Sequence, residues 1–239
     1  HPIWRDELTA LNATKRVIKG AKISKKPVHI LHTTTEEEIE YMSKNKEHIS
    51  VEVTPQHLTL SAPECYDELG SFAQMNPPIR EKRHLKGLWK GIKDGVVDII
   101  GSDHAPHTIE EKNKPYPETP SGMPGVQTLL PIMLNHVNEG NLSLFKLCKL
   151  ISTNPAKLFK VINKGEIKLN NDADLTIIDL NKEVKITNDM MANKSGWTPF
   201  NNKKVKGWPI MTIVNGNIIM RDGELIGTPQ GKPLIFDRN

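Results

Sequence analysis

Hydrophobic and polar positions follow two different periods in the first part of the chain. Apolar residues recur at helical spacing over residues 5–24 and 81–94. Short runs rich in β-branched residues at 28–33, 49–54 and 96–100 are typical of buried strands. Strands that alternate with helices predict a parallel sheet with right-handed crossovers.

The pattern changes from residue 165 onward. Short apolar runs are separated by turn residues, which predicts a small antiparallel β module. Its strands are expected at 166–169, 173–180, 211–214 and 218–220. We therefore predict an α/β fold in two domains, one over residues 1–162 and one over residues 163–239. Within the first of these domains, the proline-rich stretch 108–125 is expected to be a long loop.

Candidate chemistry is concentrated in Gly101–His107, directly after the 96–100 strand. Asp103, His104 and His107 fall in this one turn, where they could bind a metal, move a proton or hold an anionic substrate. The residues alone leave a second interpretation open, in which Asp103 caps a turn and the histidines are solvated.

Composition excludes few classes of protein. Lys and Arg number 32 against 28 acidic residues, and the surplus is spread along the chain, which does not favour nucleic-acid binding. The apolar runs are too short to span a bilayer. Cys65 and Cys148 lack ligand spacing, so we expect packing residues and a reducing, cytoplasmic compartment.

Several stretches, in order, resemble the class I dihydroorotases of the amidohydrolase superfamily. They are His29–Thr34, Glu52–His57, Met75–Pro78, Gly101–His107, Ser121–Gly122 and Ala173–Asp179. The resemblance implies a partial (β/α)₈ TIM-type barrel, about strands six to eight, followed by a small antiparallel β-sandwich. It also implies reversible cyclisation of N-carbamoyl-L-aspartate to L-dihydroorotate in pyrimidine biosynthesis, with one or two Zn²⁺ ions.

Residue roles follow from the same resemblance. His32 and Asp103 match metal-binding positions, and Asp103 also matches the catalytic general base or acid. Asn76, His107 and Ser121–Gly122 match substrate-binding positions. The other histidines are interpreted as structural or supporting (His29, His57, His104) or as surface residues (His48, His84, His136).

The chain also departs from this family. The His-x-His of the first barrel strand, the bridging ligand of the fourth and the histidine of the fifth are absent, whereas a zinc site needs at least three protein ligands. We therefore expect a C-terminal part, with most zinc ligands upstream of residue 1. Alone, it should be inactive and lack tight zinc.

The expected partners are a small-molecule substrate and the N-terminal part of the same protein. A homodimer or an aspartate transcarbamoylase partner is also compatible with the resemblance, whereas nucleic acid and membrane are not expected. Two alternatives stay open: a cyclic amidohydrolase of the hydantoinase or allantoinase type, and a non-catalytic dihydroorotase-like scaffold that supports a partner enzyme.

Overall fold

The computed structural model describes residues 1–237, and the chain divides into two compact units. The first unit combines residues 1–129 with 186–203, and the second combines residues 130–185 with those from 204 onward. These units are defined by contacts between residues, and the division into domains at residues 1–162 and 163–239 remains a prediction from the sequence.

A parallel three-stranded sheet lies in the first unit, as the sequence predicts. Its strands, in the order β1–β2–β3, are Val28–Ile30, Ile49–Val53 and Ile99–Ile100. The register pairs Ile30 with Val51 and Val53 with Ile100. The carboxyl ends of all three strands therefore meet at one edge of the sheet.

The first unit also contains helices, the first of which contacts β1. They are α1 (Glu7–Ser24), α2 (Glu36–Ser43), α3 (Pro55–Thr59), α4 (Glu64–Leu69), α5 (Lys82–Lys93) and α6 (Ile109–Lys112), with 3₁₀ turns at Gly70–Ala73 and Asn188–Met190. The helix α2 contacts both α1 and α5 and buries Ile39 and Met42. Burying each such side chain contributes roughly 1.5–3 kcal/mol.

The start of α2 is fixed by a capping box, as the Thr-rich turn followed by acidic residues predicts. The Thr35 hydroxyl accepts a hydrogen bond from the Glu38 amide at 3.2 Å, and the Glu38 carboxylate accepts one from the Thr35 amide at 3.1 Å. Such a cap contributes about 1 kcal/mol. It also anchors the turn between β1 and α2, which carries His32.

The second unit contains a four-stranded antiparallel sheet and short helices. The helices are α7 (Leu129–Asn138), α8 (Leu144–Cys148) and α9 (Asn154–Leu158), with a π-helical turn at Lys149–Thr153. The strands, in the order β4–β5–β6–β7, are Leu175–Lys185, Lys204–Val214, Asn217–Arg221 and Glu224–Leu225. Asn138 of α7 donates a hydrogen bond to the Lys206 carbonyl at 2.9 Å, which ties this helix to β5.

Two predicted elements are wrong. The stretch 166–169 is not a strand, and Ile167 and Leu169 are 93% and 89% exposed. The stretch 108–125 is not entirely a loop, since α6 forms within it. A capping box between Thr108 and Glu111 explains this helix, because it satisfies amides at the helix start.

Three side chains differ from their predicted environments. His84 and His136 are buried rather than at the surface, because each has polar partners: the Glu36 amide for His84, and Asn141 and Glu139 for His136. Cys148 is exposed and is not a packing residue. Cys65 packs in a core cluster with Met75 and Trp197, as predicted.

No helix in residues 1–237 combines the length and hydrophobicity required to cross a membrane.

Candidate functional site

Polar residues gather where the parallel strands end. His32 follows β1, Glu52 lies near the end of β2, and Asp103 follows β3. The charges of His32 and Glu52 both act on the Asp103 carboxyl, which places the three side chains in one neighbourhood. The structure therefore brings together the two predicted metal ligands and one further carboxylate.

Glu52 is the residue that the sequence interpretation missed. Its carboxylate is largely buried and accepts a hydrogen bond from the His32 amide at 3.4 Å, while His29 Nε2 lies 3.4 Å from its other oxygen. A Cβ at Gly101 would lie 2.5 Å from this carboxylate, so a larger residue there would displace the Glu52 carboxylate from its present position. The sequence did offer one sign of this residue, an acidic side chain inside a predicted buried strand. Carboxylates are rarely buried without partners, so such a residue indicates a polar site.

The backbone at both predicted metal ligands lies in the left-handed region. The φ angle is 36° at His32 and 41° at Asp103. For residues other than glycine this costs of order 1–3 kcal/mol, and such strain concentrates at functional sites. His32 Nδ1 is also buried, and no residue in the described part of the chain hydrogen-bonds to it. A buried nitrogen of this kind is suited to a ligand that the protein does not itself supply.

The environment of Asp103 favours its protonated form. Burial raises the pKa of this carboxyl above its ordinary value, the negative charge of Glu52 raises it further, and His32 opposes both effects. A raised pKa makes this carboxylate a stronger proton acceptor than an ordinary aspartate, which suits a group that takes up and passes on a proton.

A second group of predicted residues lies on the loops after β3. His107 Nε2 donates a hydrogen bond to the Ser121 carbonyl at 3.3 Å. Gly122 has a φ of 150°, and a Cβ there would lie 2.6 Å from the Ala105 carbonyl oxygen. The structure therefore brings His107 together with Ser121 and Gly122, and the close backbone approach requires glycine.

Asn76 lies on a separate loop and is exposed. Its Oδ1 is 3.1 Å from His1 Nε2. The adjoining Pro77 carbonyl accepts a hydrogen bond from His57 Nε2 at 3.0 Å, while the Thr54 hydroxyl lies 2.8 Å from His57 Nδ1. His57 therefore connects the end of β2 to the loop that carries Asn76.

His104 takes part in neither group of candidate residues. Its Nδ1 accepts a hydrogen bond from the Gly125 amide at 3.0 Å, which agrees with a structural role.

The residues present fit only part of a metal site. Within residues 1–237, no group of three or more His, Cys, Asp or Glu side chains is placed to hold a metal ion. Structural and catalytic zinc sites use at least three protein ligands. His32 and Asp103 could supply two of them, and the open Nδ1 of His32 is consistent with that role.

Comparisons with known proteins give consistent results for sequence and fold. Dihydroorotase from Pyrococcus furiosus is 38% identical over 232 residues, which cover 97% of this chain and 54% of that protein. Dihydroorotase from Methanosphaera stadtmanae is 40% identical over 92% of this chain and 51% of its own length. L-hydantoinase from Arthrobacter aurescens has a similar structure, with a TM-score of 0.87 and 29% identity over 90% of this chain and 49% of that chain.

The chain thus spans about half the length of the curated relatives that it matches. The profile of the amidohydrolase family matches residues 12–219, which is most of the sequence. With this match and the α/β fold of parallel and antiparallel sheets, the chain belongs to the amidohydrolase family.

Proposed function

We propose that this chain is the C-terminal part of a zinc-dependent dihydroorotase, which interconverts N-carbamoyl-L-aspartate and L-dihydroorotate in pyrimidine biosynthesis. The observation that carries the proposal is a raised-pKa carboxyl, Asp103, beside His32 at the ends of β1 and β3. It occurs in a chain whose sequence aligns over 97% of its length with a protein named dihydroorotase. On this proposal β1, β2 and β3 are strands six to eight of a (β/α)₈ barrel.

Asp103 is the proposed proton carrier. In ring opening, the oxygen of water bonds to the ring amide carbonyl carbon, and the bond from that carbon to the ring nitrogen breaks. Asp103 takes the proton that water gives up and delivers it to the departing nitrogen; ring closure runs in reverse. A metal held by His32, Asp103 and further ligands would polarise the carbonyl and lower the pKa of water.

Asn76, His107 and Ser121–Gly122 are the proposed substrate-binding residues. The backbone at Ser121–Gly122 and the His107 ring lie beside one another, and these groups offer hydrogen-bond donors and acceptors to the ring amides and the carboxylate of the substrate.

A hydantoinase is the second candidate, because solved hydantoinases share the fold. Substrate preference separates the two. We expect the full-length protein to turn over dihydroorotate at least about a hundredfold faster than hydantoin or allantoin, because a site built for one ring leaves polar groups unpaired with another. A preference for hydantoin or allantoin would replace the proposal by this second candidate.

A non-catalytic scaffold is tested in the same preparation. Stoichiometric zinc together with turnover of dihydroorotate in the full-length protein would exclude it, whereas neither zinc nor turnover would support it. The same material, run on a sizing column with and without aspartate transcarbamoylase, tests the proposed homodimer and the proposed partner enzyme. We also propose a cytoplasmic location.

Residues 1–239 alone are expected to bind no tight zinc and to show no activity. The physical reason is the ligand count, since the described residues place no group of three ligands together. Elemental analysis after dialysis against a weak chelator measures this, with the full-length protein as the positive control. One zinc per chain retained by the isolated stretch would contradict the prediction.

A further inference from the structure

Lys112, the last residue of α6, is a buried lysine with an unusual set of partners. Its side chain is fully buried, and its Nζ donates hydrogen bonds to the Gln74 carbonyl at 2.9 Å and the Pro120 carbonyl at 2.8 Å. Across residues 1–237, no carboxylate lies within ion-pair distance of this ammonium. An ammonium buried in this way is unfavourable unless its hydrogens are bonded, so its position needs an explanation.

The third face of the ammonium is directed at an aromatic ring. Nζ lies 5.9 Å from the centre of the Trp197 ring, within range of a cation–π interaction. The same indole donates a hydrogen bond from Nε1 to the His107 carbonyl at 2.7 Å. Burial lowers the pKa of Lys112 to about 8, so the ammonium is the main form at neutral pH.

The two carbonyls held by Lys112 belong to two different loops. Gln74 lies two residues before Asn76, and Pro120 directly precedes Ser121–Gly122. These loops are also bonded to each other. The Gln74 carbonyl accepts a second hydrogen bond from the Gly122 amide at 3.0 Å, and Gln74 Nε2 donates to the Ser121 hydroxyl at 3.1 Å. Lys112 is therefore the charged centre of a network that joins both loops.

We propose that Lys112 is a positioning residue that sets the spacing between the Asn76 loop and the Ser121–Gly122 loop. Through its contact with Trp197, it also helps to hold the backbone at His107 in place. The inference rests on the proposed function, in which these residues contact substrate. A lysine suits this task because its charged ammonium has three diverging N–H groups, which serve two carbonyls and face an aromatic ring, whereas a glutamine amide has two N–H groups in one plane. Lys112 itself has no direct contact with substrate in this proposal.

Lys112→Met removes the charge and keeps an unbranched chain of similar length. In the full-length protein we expect KM for dihydroorotate to rise about tenfold while kcat changes less than about threefold, the pattern of lost substrate positioning. We also expect hydrogen exchange at residues 119–124 to accelerate about tenfold. The Gln74 carbonyl that accepts the Gly122 amide hydrogen bond would no longer be held in place by Lys112. Lys114→Met, at an exposed lysine of the same stretch, is the matched control and should change neither quantity.

Lys112→Gln is the second variant, to be judged by the same criteria if Lys112→Met does not fold. Its amide can still donate to one carbonyl, so its KM should lie between those of the wild type and Lys112→Met. An unchanged KM in a folded variant, a fall in kcat without a change in KM, or faster exchange throughout the first unit would overturn the positioning role. If the full-length protein does not act on dihydroorotate, the proposed function fails, and the exchange data alone decide whether Lys112 holds the two loops.

Discussion

Asp103→Asn is expected to abolish turnover in the full-length protein while leaving the fold intact. Proton transfer by a placed side chain typically accelerates a reaction by about 10²–10⁴-fold, and an amide cannot supply it. Asn has the same shape as Asp, and it is one of the few residues that tolerate a left-handed backbone such as the φ of 41° at this position. The variant should therefore lose chemistry without adding strain.

Steady-state rates in both directions, with melting temperature and zinc content, measure this outcome. Asp94→Asn is a matched control, because Asp94 is an exposed carboxylate paired with Lys90 at the end of α5. Its rates should stay within about twofold of wild type, since exposed ion pairs contribute little. Wild-type turnover in a folded Asp103→Asn protein would refute the role assigned to Asp103.

The sheet and the candidate loops could be predicted because local sequence determines them. Runs of β-branched residues specify β1 and β2, and the spacing between them leaves room only for a helical crossover, so the parallel register follows. The Thr35 cap is likewise a local feature. Placing His32 and Asp103 at one edge then needs no information beyond strand order.

Buried charge could not be predicted in the same way. Glu52 and Lys112 are charged residues that are buried in the structure. The pattern places Glu52 in a buried strand without showing what compensates its charge, and it places Lys112 in a loop. Their burial depends on partners distant in sequence: His29 and the His32 amide for Glu52, and the Gln74 carbonyl for Lys112. The opposite error occurred at 166–169, where apolar residues remain exposed. An element's local pattern does not determine what packs against it.

His57 provides the second large expected effect, a loss of stability in acid. Its ring is buried, and burial lowers the pKa of His57 from 6.5 to about 3, with smaller contributions from the positive charges of His32 and Arg80. The hydrogen bond to the Pro77 carbonyl opposes this shift. Because a carbonyl can only accept, Nε2 carries the proton, and the neutral ring accepts the Thr54 hydroxyl hydrogen at Nδ1.

The sign follows from the two pKa values. Below pH 6.5 the unfolded chain binds a proton at His57 that the folded chain does not, so folding stability is complete above that pH and falls as the pH drops toward 3. The loss is about 1.4 kcal/mol per pH unit, or about 2.5 kcal/mol between pH 7 and pH 4.5. His57→Gln keeps an amide donor for Pro77 and removes the titration. The free energy of unfolding of His57→Gln minus that of wild type should therefore rise by about 2.5 kcal/mol between pH 7 and pH 4.5.

Urea unfolding of both proteins at several pH values, with EDTA present to exclude metal effects, isolates His57, since every other group titrates alike in the pair. His48→Asn is the control. His48 is only partly buried beside Glu47 and has a φ of 61°, a left-handed conformation that Asn accepts. Parallel stability curves for wild type and His57→Gln between pH 7 and pH 4.5 would mean that His57 keeps an ordinary pKa in the folded protein and becomes protonated there below about pH 6.5. In acid the Pro77 carbonyl would then be held by an imidazolium, and the loop that carries Asn76 would have a charged anchor rather than a neutral one.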